Sequence, residues 1–187
     1  MLETQSAVTT TAGNDNTGRL GESLSISTDE NFVVAGGPDT NSLGSDGSTR
    51  FLNSGLVKLF VWDPSTFKYG VLTTLRPPTD GSTLNENANF GWAHKISEPG
   101  VSSVRTTPDK YLFVSAPGHD NDTGRVYMYT WGVGADGSTY DRWTQDYTLE
   151  APDGGSGQRF GHRVAANDNG DILAVSSLAP GSAGDVR

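Results

Sequence analysis

The chain has 187 residues, a formal net charge of −9 and no cysteine, and 34% of it is hydrophobic. The negative charge repels phosphate backbones, which excludes nucleic acid as an expected partner, and the lack of cysteine excludes disulfide and thiolate chemistry. No segment approaches the ~18 uninterrupted apolar residues of a membrane helix, whereas 24 glycines among many Thr, Ser, Asn and Asp favour short strands joined by turns.

Residues 1–19 are polar and lack a basic stretch followed by an apolar one, so they do not read as an export signal. They form a leader, read either as flexible or as an arm that docks on a partner and orders there.

From residue 20 the chain repeats itself. Leu20-Gly21, Phe90-Gly91 and Phe160-Gly161 recur at a step of 70 residues, and a fixed period of this kind defines the architecture before any motif does. The first unit, 20–89, runs LGESLSIS, NFVVAGGPD, GLVKLFVW and KYGVLTTLRPP. The second, 90–159, runs FGWAHKIS, KYLFVSAPG, GRVYMYTW and RWTQDYTLEAP. The third, 160–187, is partial: FGHRVAAN, DILAVSSLAPG and GDVR.

Each element is short and alternates. Leu56, Lys58, Phe60 and Trp62 oppose Val57, Leu59 and Val61; Arg125, Tyr127 and Tyr129 oppose Val126, Met128 and Thr130. Period two with β-branched and aromatic residues marks a strand. Asp46-Gly47, Asp80-Gly81, Asp136-Gly137, Asp153-Gly154 and Asn169-Gly170 punctuate the runs as turns. No stretch of ten or more residues carries a capped helical period. The expected class is all-β: propeller blades of four antiparallel strands, about 70 residues per repeat.

These units resemble FG-GAP repeats, the blades of integrin α-subunit propellers and of many bacterial and viral proteins. Phe90-Gly91 and Phe160-Gly161 match the first half of the signature, Ala116-Pro117 the second, and Gly124 through Tyr129 looks like the closing strand. The first unit departs, with Leu20 in place of Phe and Gly36-Gly37-Pro38 where an apolar-Gly-Ala-Pro is usual. In such a blade the Phe can pack between neighbours, the Gly permits close backbone approach, and the Pro suits a strand exit. Two units and a partial third make an incomplete ring, since propellers typically have 4–8 blades. The expectation is that a longer chain, or other subunits, supply the rest.

The resemblance raises calcium, because many FG-GAP blades carry loops of the form DxDxDG. Asp120 and Asp122, and Asp168 and Asp171, are the candidate ligands, but neither loop has the full spacing, and both read as solvated turns. The expectation is no cofactor, with Ca²⁺ the ion these loops would take. Gly132, Gly134 and Gly137 match a dinucleotide fingerprint, yet a strand and not a helix follows, so the reading is a hairpin loop. His94 and His162 occupy different positions in their repeats and form no set. Asn121-Asp122-Thr123 fits a glycosylation triplet. Trp62, Trp92, Trp131 and Trp143 read as packing residues rather than a sugar-binding face.

No catalytic constellation emerges, so the chain is expected to be a structural or interaction module and not an enzyme. Its polar leader, lack of cysteine and Gly/Ser/Thr/Asp-rich acidic style, similar to that of marine phage proteins, point to a tail or capsid-associated component of a phage virion. The alternatives are an extracellular or cell-surface bacterial adhesion or ligand-binding propeller, and a non-catalytic part of a secreted enzyme.

Overall fold

A computed structural model of the chain describes residues 18–43, 50–78, 86–98, 110–133, 139–178 and 185–186. Most of the leader, and the turns at Asp46-Gly47, Asp80-Gly81 and Asp136-Gly137, lie outside those residues. The fold is all-β and antiparallel.

In the first repeat, β1 (Ser23–Ile26), β2 (Phe32–Gly37), β5 (Leu56–Asp63) and β6 (Lys68–Leu75) follow one another across a four-stranded sheet. In the second, β7 (His94–Ser97), β8 (Lys110–Ala116), β9 (Arg125–Val133) and β10 (Thr139–Leu149) do the same. The third holds β11 (Arg163–Ala166), β12 (Leu173–Ser177) and β13 (Asp185–Val186). Strands joined by short turns pair with their sequence neighbours because loop closure is then least costly in entropy.

Two features depart from the four-strand plan. A small hairpin, β3 (Ser42–Leu43) with β4 (Arg50–Phe51), is inserted between β2 and β5. Two-residue strands are too short to show a period. This insert is tied down by polar contacts, with Ser42 Oγ 2.5 Å from Ser54 Oγ and the Gly55 amide donating to the Thr40 carbonyl at 2.9 Å. The second feature is α1 (His119–Asp122), a single turn between β8 and β9 in which Asp120 and Asn121 hold left-handed φ of 50° and 54°.

The sheets pack face against face. Phe32, Val34, Val57 and Leu59 of the first meet Ile96, Leu112, Val114, Tyr127 and Tyr129 of the second around Phe90. The opposite face of the second sheet carries Phe113 and Val126, with Tyr111 and Met128 beside them. It meets Phe160, Val175, Val164, Ala166 and Leu173 of the third repeat. The alternation in β9 is thereby divided between two boundaries: Tyr127 and Tyr129 face one repeat, Val126 and Met128 the other. Burial of such side chains supplies about 1.5–3 kcal/mol each before entropic costs.

Candidate functional site

The repeat motif builds the boundary between consecutive sheets. Arg19, Asn89 and Arg159 hold left-handed φ of 54°, 54° and 51°, and Gly21, Gly91 and Gly161 hold 98°, 88° and 92°. Each of these turns is closed alike: the amides of Glu22, Trp92 and His162 donate to the carbonyls of Arg19, Asn89 and Arg159 at 2.9, 3.0 and 3.0 Å. The amides of Gly21, Gly91 and Gly161 then reach the second strand, at Gly36, Ser115 and Ser176. Leu20 therefore occupies the same turn as Phe90 and Phe160, and its substitution for Phe leaves the backbone unchanged.

The residues before each Phe run parallel to the residues that open the third strand of the preceding repeat. The Asn87, Asn89 and Phe90 amides donate to Leu52, Asn53 and Ser54 at 2.8, 2.9 and 3.1 Å. The Gly157, Arg159 and Phe160 amides donate to Asn121, Asp122 and Thr123 at 3.3, 2.6 and 3.0 Å. Gly55 bridges Phe90, and Gly124 bridges Phe160. A Cβ on Gly55 would fall 2.1 Å from the Phe90 carbonyl oxygen, and one on Gly124 would fall 2.2 Å from that of Phe160. Only glycine admits this approach. Phe90 is wholly buried between the first and second repeats, its ring 5.6 Å from Tyr127; Phe160 is buried between the second and third.

Polar contacts join the first strands of neighbouring repeats. His94 is buried, with Nδ1 2.8 Å from Ser25 Oγ and Nε2 3.1 Å from the Ser23 carbonyl. The pairing fits a neutral ring that donates from Nε2 and accepts at Nδ1. Burial lowers its pKa to about 4, against the Ser23 carbonyl, which favours the charged form. At the end of the same boundary, Lys110 Nζ lies 2.7 Å from Asp29 and also pairs with Glu98, while sitting 5.4 Å from the Phe32 ring. Partial burial would raise the Asp29 carboxyl, but Lys110, Ser27 and Asn31 together hold it well below the usual range.

The structure places Ala116 at the buried end of β8, followed directly by Pro117. The four candidate calcium ligands fall on two separate loops, Asp120 and Asp122 between β8 and β9 of the second sheet, Asp168 and Asp171 between β11 and β12 of the third. Asp120 sits exposed in α1, and Asp122 accepts from Arg159 Nε at 3.2 Å. Asp168 lies 3.8 Å from Lys95, its carbonyl accepts from the Glu98 amide, and Asp171 accepts from the Asn167 amide group. Among the described residues no three His, Asp or Glu gather as a metal site. The turn from Asn167 to Ile172 repeats that from Ser27 to Phe32: each is closed by a backbone pair and by a side-chain oxygen of its first residue.

Gly132 belongs to β9, which pairs antiparallel with β10 through Val133 and Thr139, while Gly134 and Gly137 lie outside the described residues. Of the tryptophans, Trp131 and Trp143 enclose Phe32 at 5.6 and 6.0 Å. Trp92 contacts His162 at 5.9 Å and lies beneath Arg19, and Trp62 meets Phe67 and Tyr69 edge-on. Among the described residues no helix is long and apolar enough to cross a membrane.

No family model matches the chain, and no curated protein matches it.

Proposed function

We propose that this chain is a non-enzymatic structural or interaction module, built as blades of an FG-GAP-type propeller and serving as a tail or capsid-associated component of a phage virion. The observation that carries the scaffold reading is the repeated interlock at Gly55–Phe90 and Gly124–Phe160. The motif residues are spent on joining one sheet to the next, and so is His94, whose ring nitrogens are both committed to the first repeat. A scaffold of stacked repeats derives its stability from such neighbour contacts and presents its loops and end faces to partners.

The virion role adds the acidic, cysteine-free composition to that scaffold. Quantitative mass spectrometry of purified particles tests it: the chain is expected at a fixed copy number per particle. Its absence from particles, with the protein present in the same lysate, overturns the virion role and leaves the scaffold reading standing.

A further inference from the structure

The two interior boundaries are built alike around Phe90 and Phe160, but their polar contacts differ in kind. At the first, the buried His94 ring sits between Ser25 Oγ and the Ser23 carbonyl. Ser23 Oγ donates to the Gly91 carbonyl at 2.8 Å. Lys110 joins Asp29 to Glu98, whose carboxylate also accepts from the Asp29 amide at 2.9 Å. Counting from the aligned glycines, the second boundary has Val164 in place of His94, and Val164 packs in the apolar cluster. There the Glu98 amide donates to the Asp168 carbonyl, a backbone bond that does not titrate. The charged pairs at this boundary stand in solvent: the Asp168 side chain, 3.8 Å from Lys95, is 77% exposed, and Asp122 and Arg159 are both well exposed.

Among the described residues no charge bears on the His94 ring. From β1 it meets Ser23 and Ser25, while Leu24 and Ile26 of the same strand point away, 66% and 60% exposed. Its register partner on β8 is Val114. β11 also packs on β7, and its one charged residue, Arg163, is exposed and bonded to the His162 carbonyl. Lys110, Asp29 and Glu98 cluster beyond the other end of β7. A proton added to His94 would therefore place an uncompensated charge in a buried site, and burial outweighs the help of the Ser23 carbonyl.

We propose that the first boundary is an acid-sensitive joint: as pH falls below neutral, the first repeat parts from the second while the second and third stay joined. Parting returns His94 to water, where it takes its proton at ordinary affinity, so acid draws the equilibrium toward the open form. Below about pH 4, protonation of Asp29 adds to this by removing one of the charges that Lys110 holds across the boundary. Parting at the second boundary leaves His94 buried, so the same proton does not act there. His162, beside Trp92 at that boundary, is half-buried and held below its ordinary value chiefly by that burial, which leaves a residual sensitivity of the same sign. The joint rests on the stacked-repeat scaffold and not on the virion role.

The native chain has no cysteine, so single thiols report each boundary: A88C in the first core and V175C in the second. A dipyridyl disulfide, which reacts with thiols in acid, labels each as its boundary opens, and each rate is divided by that of the same variant unfolded in urea at the same pH. Between pH 7 and pH 4.5 the A88C rate is expected to rise roughly 50-fold, as follows from a His pKa of about 4 in the closed form and 6.5 in the open one. The V175C rate is expected to rise only a few-fold, and H94N to reduce the A88C rise to the same level. The unsubstituted chain gives the same contrast by amide exchange corrected for the intrinsic effect of pH: the Asn89 and Phe90 amides, which donate across the first boundary, should lose protection in acid before those of Arg159 and Phe160, which donate across the second. Equal acceleration at both boundaries, no acceleration at the first, or an acid rise that survives H94N overturns the inference. Each of these leaves the scaffold reading standing, which fails instead if the boundary at Phe160 proves dispensable to the fold.

Discussion

Ser25 Oγ lies 2.8 Å from His94 Nδ1, across the boundary between the first and second repeats. The bond ties two first strands together, and burial of the ring holds the imidazole neutral. The folded-state pKa is about 4, below the ordinary 6.5, so the unfolded chain binds the proton more readily. Stability is therefore full above about pH 6.5 and is lost as pH falls from there toward 4, by on the order of 3 kcal/mol. Carboxylates titrate near the lower limit too, so the comparison that isolates His94 is with His94→Asn. Urea midpoints measured from pH 7 to 4.5 should fall for the native chain and stay nearly level for the variant. Parallel curves would mean that His94 is not held neutral by the boundary.

Phe90 and Phe160 plug successive boundaries, and removal of either ring leaves a cavity. Phe→Ala in a packed core costs about 3–5 kcal/mol. Phe90→Ala should sit at the upper end of that range, being wholly buried, and Phe160→Ala lower, at 5% exposed. The position of the loss should differ as well. By hydrogen exchange, Phe160→Ala should expose amides of β11 and β12 while those of β2 and β5 stay protected. Uniform loss across all three repeats would mean that the stack unfolds as one unit.

The strands of the four-element plan were legible because each carries period two over four or more residues, with Gly and Asx turns between. The 70-residue step also located the Phe-Gly turn, since its left-handed φ values demand a fixed residue pattern. The β3–β4 hairpin was not legible, as two-residue strands carry no period. Nor was the ion cluster of Asp29, Glu98 and Lys110: its members come from different turns and strands, and only packing of the two sheets brings them together. The exposure of Leu24 and Ile26 was hidden for a different reason. An apolar residue at an inward-reading position looks the same whether or not a neighbour covers it.

Gly55 and Gly70 separate two roles of glycine in the same sheet. Gly55 has φ of 84° and no room for a Cβ before the Phe90 carbonyl; Gly70, in β6, has open space and no positive φ. Gly55→Ala should destabilise by well over about 1 kcal/mol, since strain and a backbone clash act together. Gly70→Ala should be neutral or stabilising by a few tenths of a kcal/mol, since it lowers the entropy of the unfolded chain. Chemical denaturation of the two variants side by side reads both. A similar loss at both sites would remove the case for close approach at Gly55.

Lys110 is the cation that two acids share, Asp29 from the first repeat and Glu98 from its own. Its side chain is only 11% exposed and that of Glu98 12%, whereas Asp29 is 37% exposed. Solvent therefore screens one arm and not the other. Lys110→Met keeps the stem that packs over Phe32 but leaves Glu98 facing Asp29 without a counter-charge. The expected loss is about 2 kcal/mol, less than the 3–5 kcal/mol of a wholly buried pair. Because the carboxyl of Asp29 is held low in the folded chain, its share of the stability is present above the ordinary carboxylate pKa and disappears as pH falls below it. The difference between native chain and variant should accordingly shrink in acid, and Glu98→Gln in the Lys110→Met background should restore part of the loss at neutral pH. A Lys110→Met penalty that persists unchanged to pH 3 would show that pairing with the Asp29 carboxylate does not account for the loss.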